Sequence, residues 1–155
     1  MKIEQKKWTI KNGWKTLSSD LATESPELVL VFGGNAALKD KARFGEIRAW
    51  YPKSRIISAS TAGEIIKTEV SDDTLVLTAI KFKKTTLQFA EVSIAQTEES
   101  EAVGKKLAQT LPKAGLVHAM IFSDGLFVNG TTLIKGLLSE LPKDVSVTGG
   151  LMGDG

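Results

Sequence analysis

The sequence predicts an α/β fold with a mixed sheet: parallel βαβ units plus one antiparallel hairpin. Three observations predict it. Continuous apolar runs, Leu28-Val29-Leu30-Val31-Phe32 and Leu116 to Phe122, have the length and composition of strands buried on both faces. They alternate with segments whose apolar residues recur at helical spacing. Two β-rich runs, Thr74–Phe82 and Thr85–Ile94, flank Lys83-Lys84 as the arms of a hairpin would.

Taken in order, residues 2–10 predict a first strand with Ile3, Trp8 and Ile10 as its apolar positions. Trp14, Leu17 and Leu21 fall at i, i+3 and i+7 and predict a short helix, which Ser25-Pro26 terminates. The run Leu28–Phe32 ends in Gly33-Gly34. Leu38, Ala42, Phe44, Ile47 and Trp50 mark one side of a helix stopped by Pro52, and Arg55-Ile56-Ile57-Ser58 follows as a strand. Strand, helix and strand over about thirty residues make a βαβ unit, so these two strands should be parallel. In the second arm of the hairpin the apolar face passes from Leu87 and Phe89 to Val92 and Ile94, which predicts a β-bulge near Ala90-Glu91. Val103, Leu107 and Leu111 predict a helix stopped by Pro112. Leu133, Ile134, Leu137, Leu138 and Leu141 predict another, stopped by Pro142, before a last strand, Val145–Thr148, runs into Gly149-Gly150.

The whole chain bounds the possibilities. Its 155 residues fit one domain, read as spanning 1–155, and its 42% hydrophobic and 25% charged residues are those of a globular protein. No cysteine is present, which removes disulfides and thiolate chemistry. The opening Met-Lys-Ile-Glu-Gln-Lys-Lys is too polar for a signal peptide and no run reaches membrane-spanning length, so a cytoplasmic location is expected, with no membrane partner. Net charge is +2 with the basic residues scattered, unlike the focused positive face of a nucleic-acid binder.

The unusual residues gather where parallel strands end. The first run ends in Gly33-Gly34-Asn35 and the second in Ser58-Ala59-Ser60-Thr61-Ala62-Gly63-Glu64. The third ends in Ser123-Asp124-Gly125, with Asn129-Gly130 beyond, and the last ends in Gly149-Gly150. In open α/β sheets ligands bind outside the carboxyl ends of the strands, and glycine there lets a ligand approach the backbone. The same residue types also make ordinary turns, so four such loops on one edge carry more weight than any one. Catalysis finds less support. His118, the only histidine, lies inside an apolar strand and reads as a buried, hydrogen-bonded side chain. Ser123 lacks a Gly-x-Ser-x-Gly elbow, and His118 lies five residues earlier on the same strand, too far away to serve as its base. Glu64, Asp72, Asp73, Asp124 and Asp154 follow no cation-loop spacing, and no phosphate-binding glycine motif occurs.

Ser60-Thr61-Ala62-Gly63-Glu64, Ser123-Asp124-Gly125, the Asn129-Gly130 pair opening a helix and Gly149-Gly150-Leu151-Met152-Gly153-Asp154, in that order, resemble the N-terminal FIST domain from about Glu27 to the chain end. The resemblance implies a sensory domain of a signal-transduction protein, mostly bacterial, that binds a small ligand such as an amino acid. It also implies a C-terminal FIST domain as partner, lacking here, and a downstream signalling protein. The expected ligand contacts are Thr61, Gly63, Glu64, Ser123, Asp124, Asn129, Gly149 and Gly150. Backbone N–H groups would hold a negative group of the ligand, and Asp124 or Glu64 would meet an ammonium. No catalytic residue, metal ligand or cofactor is expected. Haem-based gas sensing through His118 and a hydrolase using Ser123 or Thr61 stand as alternatives.

Overall fold

The computed structural model describes residues 1–153. The chain divides into two compact units: Met1–Thr86 with the segment that begins at Gly153, and Leu87–Met152. The mixed α/β class is as expected, with parallel and antiparallel strands in the larger sheet.

The first unit opens with an antiparallel hairpin of β1 (Lys2–Thr9) and β2 (Gly13–Ser19). This corrects the short helix expected from Trp14, Leu17 and Leu21. Asn12-Gly13 forms the turn: Gly13 takes the left-handed φ of 63° that such turns demand, and Asn12 N–H donates to Thr9 O at 3.3 Å. Trp14 then lies opposite Trp8. Three apolar residues were too few to establish a helical period against Thr16, Ser18 and Ser19, whose pattern a strand also satisfies.

The expected βαβ unit is present. β3 (Leu28–Gly33) leads through two short helices, α1 (Asn35–Lys39) and α2 (Lys41–Trp50), to β4 (Arg55–Ser60), which pairs with β3 in parallel. Asp40 divides the helical segment in two: its carboxylate accepts from Ala42 N–H at 2.9 Å and caps α2. A small hairpin of β5 (Glu64–Ile66) and β6 (Glu69–Ser71) precedes β7 (Leu75–Lys81).

β7 corrects a second expectation. The run Thr74–Phe82 does form a strand, but it is not paired with Thr85–Ile94. The order of the five-stranded sheet is β2-β1-β7-β3-β4, so β7 has β1 on one edge and β3 on the other, both antiparallel. With both edges filled, no ladder position remains for a following arm. Residues 85–94 form no strand, and the bulge expected at Ala90-Glu91 has no ladder to interrupt. The buried Leu75, Leu77 and Ala79 of β7 join Val29, Val31, Ile47 and Tyr51 in the core, with Trp8 and Trp14 packed against it.

The second unit holds α3 (Ser100–Thr110), β8 (His118–Ser123), α4 (Gly130–Glu140) and β9 (Ser146–Leu151). β8, α4 and β9 form the second βαβ unit, with the strands parallel. β9 continues through Gly149 and Gly150, which were expected to lie beyond it. The two helices meet through glycine. A Cβ at Gly104 would lie 2.2 Å from Leu133 O, and one at Gly136 would lie 2.1 Å from Glu101 O. The buried face of α3 is accordingly Ser100, Gly104 and Ala108, one position round from the expected stripe of Val103, Leu107 and Leu111. Ala119, Ile121 and Val147 pack on the core of Ala108, Leu137, Leu141 and Val145.

β8 was expected to be buried on both faces, and it is not. Val117 is 74% and Met120 53% exposed, and His118 is exposed as well. The alternate positions Ala119 and Ile121 take the core side, so the period of two sends His118 and Met120 to the other. His118 is therefore not a buried histidine. Its Nε2 lies 2.8 Å from Thr148 Oγ1 on the neighbouring strand.

Candidate functional site

In the first unit, the carboxyl ends of β3 and β4 lie side by side, as the parallel pairing requires. The polar residues of Ser60–Glu64 are engaged with the chain itself. The Glu64 side chain is only 1% exposed. It accepts from Thr61 Oγ1 at 2.9 Å, from Thr74 N–H at 2.9 Å and from Thr74 Oγ1 at 2.8 Å. A buried carboxylate needs such donors, and these three tie the loop after β4 to the start of β7. Gly63 adopts a φ of 130°, which a side chain would strain. Ser60 Oγ donates to Gly153 O at 2.5 Å, and Gly153 N–H donates to Ser60 O at 2.9 Å. The motif thus acts as a clasp around the end of β4.

In the second unit, Asp124 Oδ1 accepts from Leu126 N–H at 2.7 Å and Phe127 N–H at 2.8 Å, holding the loop after β8 in an Asx-type turn. Asn129 caps α4: its Oδ1 accepts from Thr132 N–H at 3.1 Å. Asn129 N–H in turn donates to the buried Ser100 Oγ at 3.0 Å, which joins the starts of α3 and α4.

Between α4 and the two strands lies an open cleft of about 460 Å³, within the size range of small-molecule sites. Leu133, Ile134 and Leu138 of α4 form one wall, and Ile121, Val147 and Leu151 line the strand side. Ser123 supplies a hydroxyl group, and Gly130, Thr148, Gly149 and Gly150 complete the lining. Among the described residues no Asp, Glu, Lys, Arg or His lines it. Two of its glycines differ in kind. Gly149 has a φ of 136° and a Cβ there would lie 1.8 Å from Ile121 O, so the β8–β9 contact itself demands glycine. A Cβ at Gly150 would meet nothing within 4 Å, and its φ lies outside the left-handed region. Nothing in the packing of the described residues requires glycine at 150.

Of the eight residues expected from the sequence, Ser123, Gly149 and Gly150 come together at this cleft. Asp124 and Asn129 belong to the same unit but shape the loop and the helix start rather than line it. Thr61, Gly63 and Glu64 belong to the first unit. The apolar lining went unrecognised because helical spacing in Leu133, Ile134 and Leu138 is the signature of any core-facing helix. What was readable was the glycine pair, Gly149-Gly150, at the end of the last strand.

β8 places His118 at one end and Ser123 at the other, roughly 16 Å apart at about 3.3 Å per residue. Thr61 Oγ1 donates to the buried Glu64. Among the described residues no group of three or more His, Asp or Glu side chains could hold a metal ion, and no helix is long and apolar enough to cross a membrane. Asp154, one of the carboxylates weighed as a cation ligand, lies outside the described residues.

No curated protein and no solved structure matches the chain. The FIST N domain model matches residues 27–155, a span that takes in both compact units and begins just before β3. With that match over most of its length, the chain belongs to the FIST N domain family, a family of signal-transduction sensory domains.

Proposed function

We propose that this chain is a ligand-binding sensory domain, that the cleft between α4 and the β8–β9 pair is its ligand site, and that it binds its ligand without transforming it. The observation that carries the reading is the cleft itself. It combines a size suited to a small metabolite, an apolar lining and few polar groups. Family membership supports the sensory role, and the signal would pass to a downstream signalling protein in the cytoplasm. The separation of His118 from Ser123 supports binding over hydrolysis, since a serine nucleophile needs a base within hydrogen-bond reach.

The test is a thermal-shift screen of small metabolites, amino acids among them, on the wild-type chain and on Leu138→Glu, a change in the exposed part of the cleft wall. A ligand present at a hundred times its Kd stabilises the native state by about 2.7 kcal/mol, which raises the melting midpoint by several degrees. The shift should vanish in Leu138→Glu. Equal shifts in both proteins place the ligand elsewhere, and no shift from any metabolite removes the small-molecule reading.

A further inference from the structure

Resting on the reading of this cleft as the ligand site, we propose that its ligand is an uncharged, mostly aliphatic small molecule carrying one hydrogen-bonding group that meets Ser123. The amino acid that the family resemblance suggests is a poor match.

The argument begins with charge. An amino acid brings a carboxylate and an ammonium, and each must exchange its water for a partner of opposite charge or several aligned hydrogen bonds. Among the described residues the cleft lining holds no charged side chain of either sign. At the positive end of α4 the Asn129 side chain already takes the Thr132 N–H, one of the donors that could have received an anion. The carboxylate of Asp124 is turned to the N–H groups of Leu126 and Phe127, and Asp124 is not part of the lining.

The apolar surface points the other way. Leu138 and Leu151, on facing walls, are 51% and 49% exposed. A ligand with a hydrocarbon body would cover them and gain the hydrophobic term that an ion forfeits. The polar capacity is small. The hydroxyl of Thr148 is engaged with His118 Nε2, while Ser123 Oγ has no hydrogen-bond partner among the described residues. One free hydroxyl at one end of an aliphatic trough specifies one alcohol-like or carbonyl-like group.

The experiment follows the methyl resonances of Leu133, Ile134, Leu138, Val147 and Leu151 in the full chain during titration with three probes: 1-octanol, octanoate and L-leucine. The expected result is saturable shifting of these methyls by 1-octanol, with octanoate and L-leucine at least tenfold weaker. Leu138→Glu, a change at a half-exposed position, should weaken 1-octanol at least tenfold with an unchanged melting midpoint. If that variant loses its fold, Leu151→Glu on the facing wall takes its place. Octanoate or L-leucine moving the same methyls as tightly as 1-octanol would overturn the ligand class and leave the cleft as a sensor site. Silence of these methyls towards all three probes, while a metabolite still raises the melting midpoint, would overturn both the ligand class and the placing of the site in this cleft.

Discussion

At the scale of single residues, Glu64 shows what a sequence can and cannot disclose. Its place after a parallel strand, among Ser, Thr and Gly, was legible, and so was the importance of the segment. Its task was not. A carboxylate beside hydroxyl groups serves a ligand or serves the loop, and only the direction of the donors separates the two. Here all three recorded donors come from Thr61 and Thr74. Asp124 and Asn129 tell the same story, each accepting from backbone N–H groups two or three residues ahead. Glu64→Gln keeps the shape but turns an NH₂ towards groups that donate. It should cost about 1–3 kcal/mol, the usual range for a buried polar group left without its partner. Urea unfolding should report this as a lower midpoint with an unchanged slope. An unaltered midpoint would mean that the carboxylate does not hold the loop.

At the scale of elements, legibility followed the strength of the local pattern. β3, β4, α3 and α4 were readable because each carries a long apolar period or run bounded by Gly or Pro. β2 was hidden by three apolar residues at helical spacing, although Asn12-Gly13 just before it is a hairpin signal. The partner of β7 was beyond reach, since pairing depends on which strands fill its two edges, and β1 lies some seventy residues upstream. The closest helix contact was equally hidden: glycine within a helix reads as a weakness unless the neighbour is known. That contact gives a paired prediction. Gly104→Ala places a methyl group 2.2 Å from Leu133 O and should destabilise by about 1–3 kcal/mol through overpacking. Gly45→Ala in α2, where a Cβ meets nothing within 4 Å, should stabilise by about 0.5–1 kcal/mol. Thermal melts of the two variants should move in opposite directions.

At the scale of the molecule, the balance of charge predicts sensitivity to acid. Lys81 and the Phe82 N–H hold the Glu27 carboxyl below its ordinary value, and Lys105 and Lys135 do the same for Glu101. Burial pushes Glu4 upward, but hydrogen bonds from Tyr51 and Ser19, with Lys6 nearby, outweigh it and lower the group as a whole. For a carboxyl depressed by folding, the unfolded chain binds more protons near its own value of about 4.3, so stability rises with pH there. The contribution is fully present above that value and disappears as pH falls through the folded one. Urea midpoints should therefore hold steady from pH 7 to about pH 5 and decline below about pH 4.3. In Glu27→Gln and Glu101→Gln the decline should be shallower. A decline of the same depth in both variants would assign acid sensitivity to other groups.

The position of β1 has a consequence for where this protein can be cut. Kinship begins at residue 27, yet β1 and β2 lie before it and β1 occupies an inner place in the sheet. Excising the chain at the family boundary would strip one whole side of β7 and expose the backbone beside Leu75, Val76 and Leu77 as a flat, sticky border. Such a border recruits neighbouring molecules. Residues 27–155 produced alone should emerge from size-exclusion chromatography as aggregate, and the 155-residue chain as a discrete species. A discrete 27–155 product would show that the opening hairpin is an accessory. The limits of what evolution shares and of what can fold unaided are then different limits, and in this chain they lie a hairpin apart.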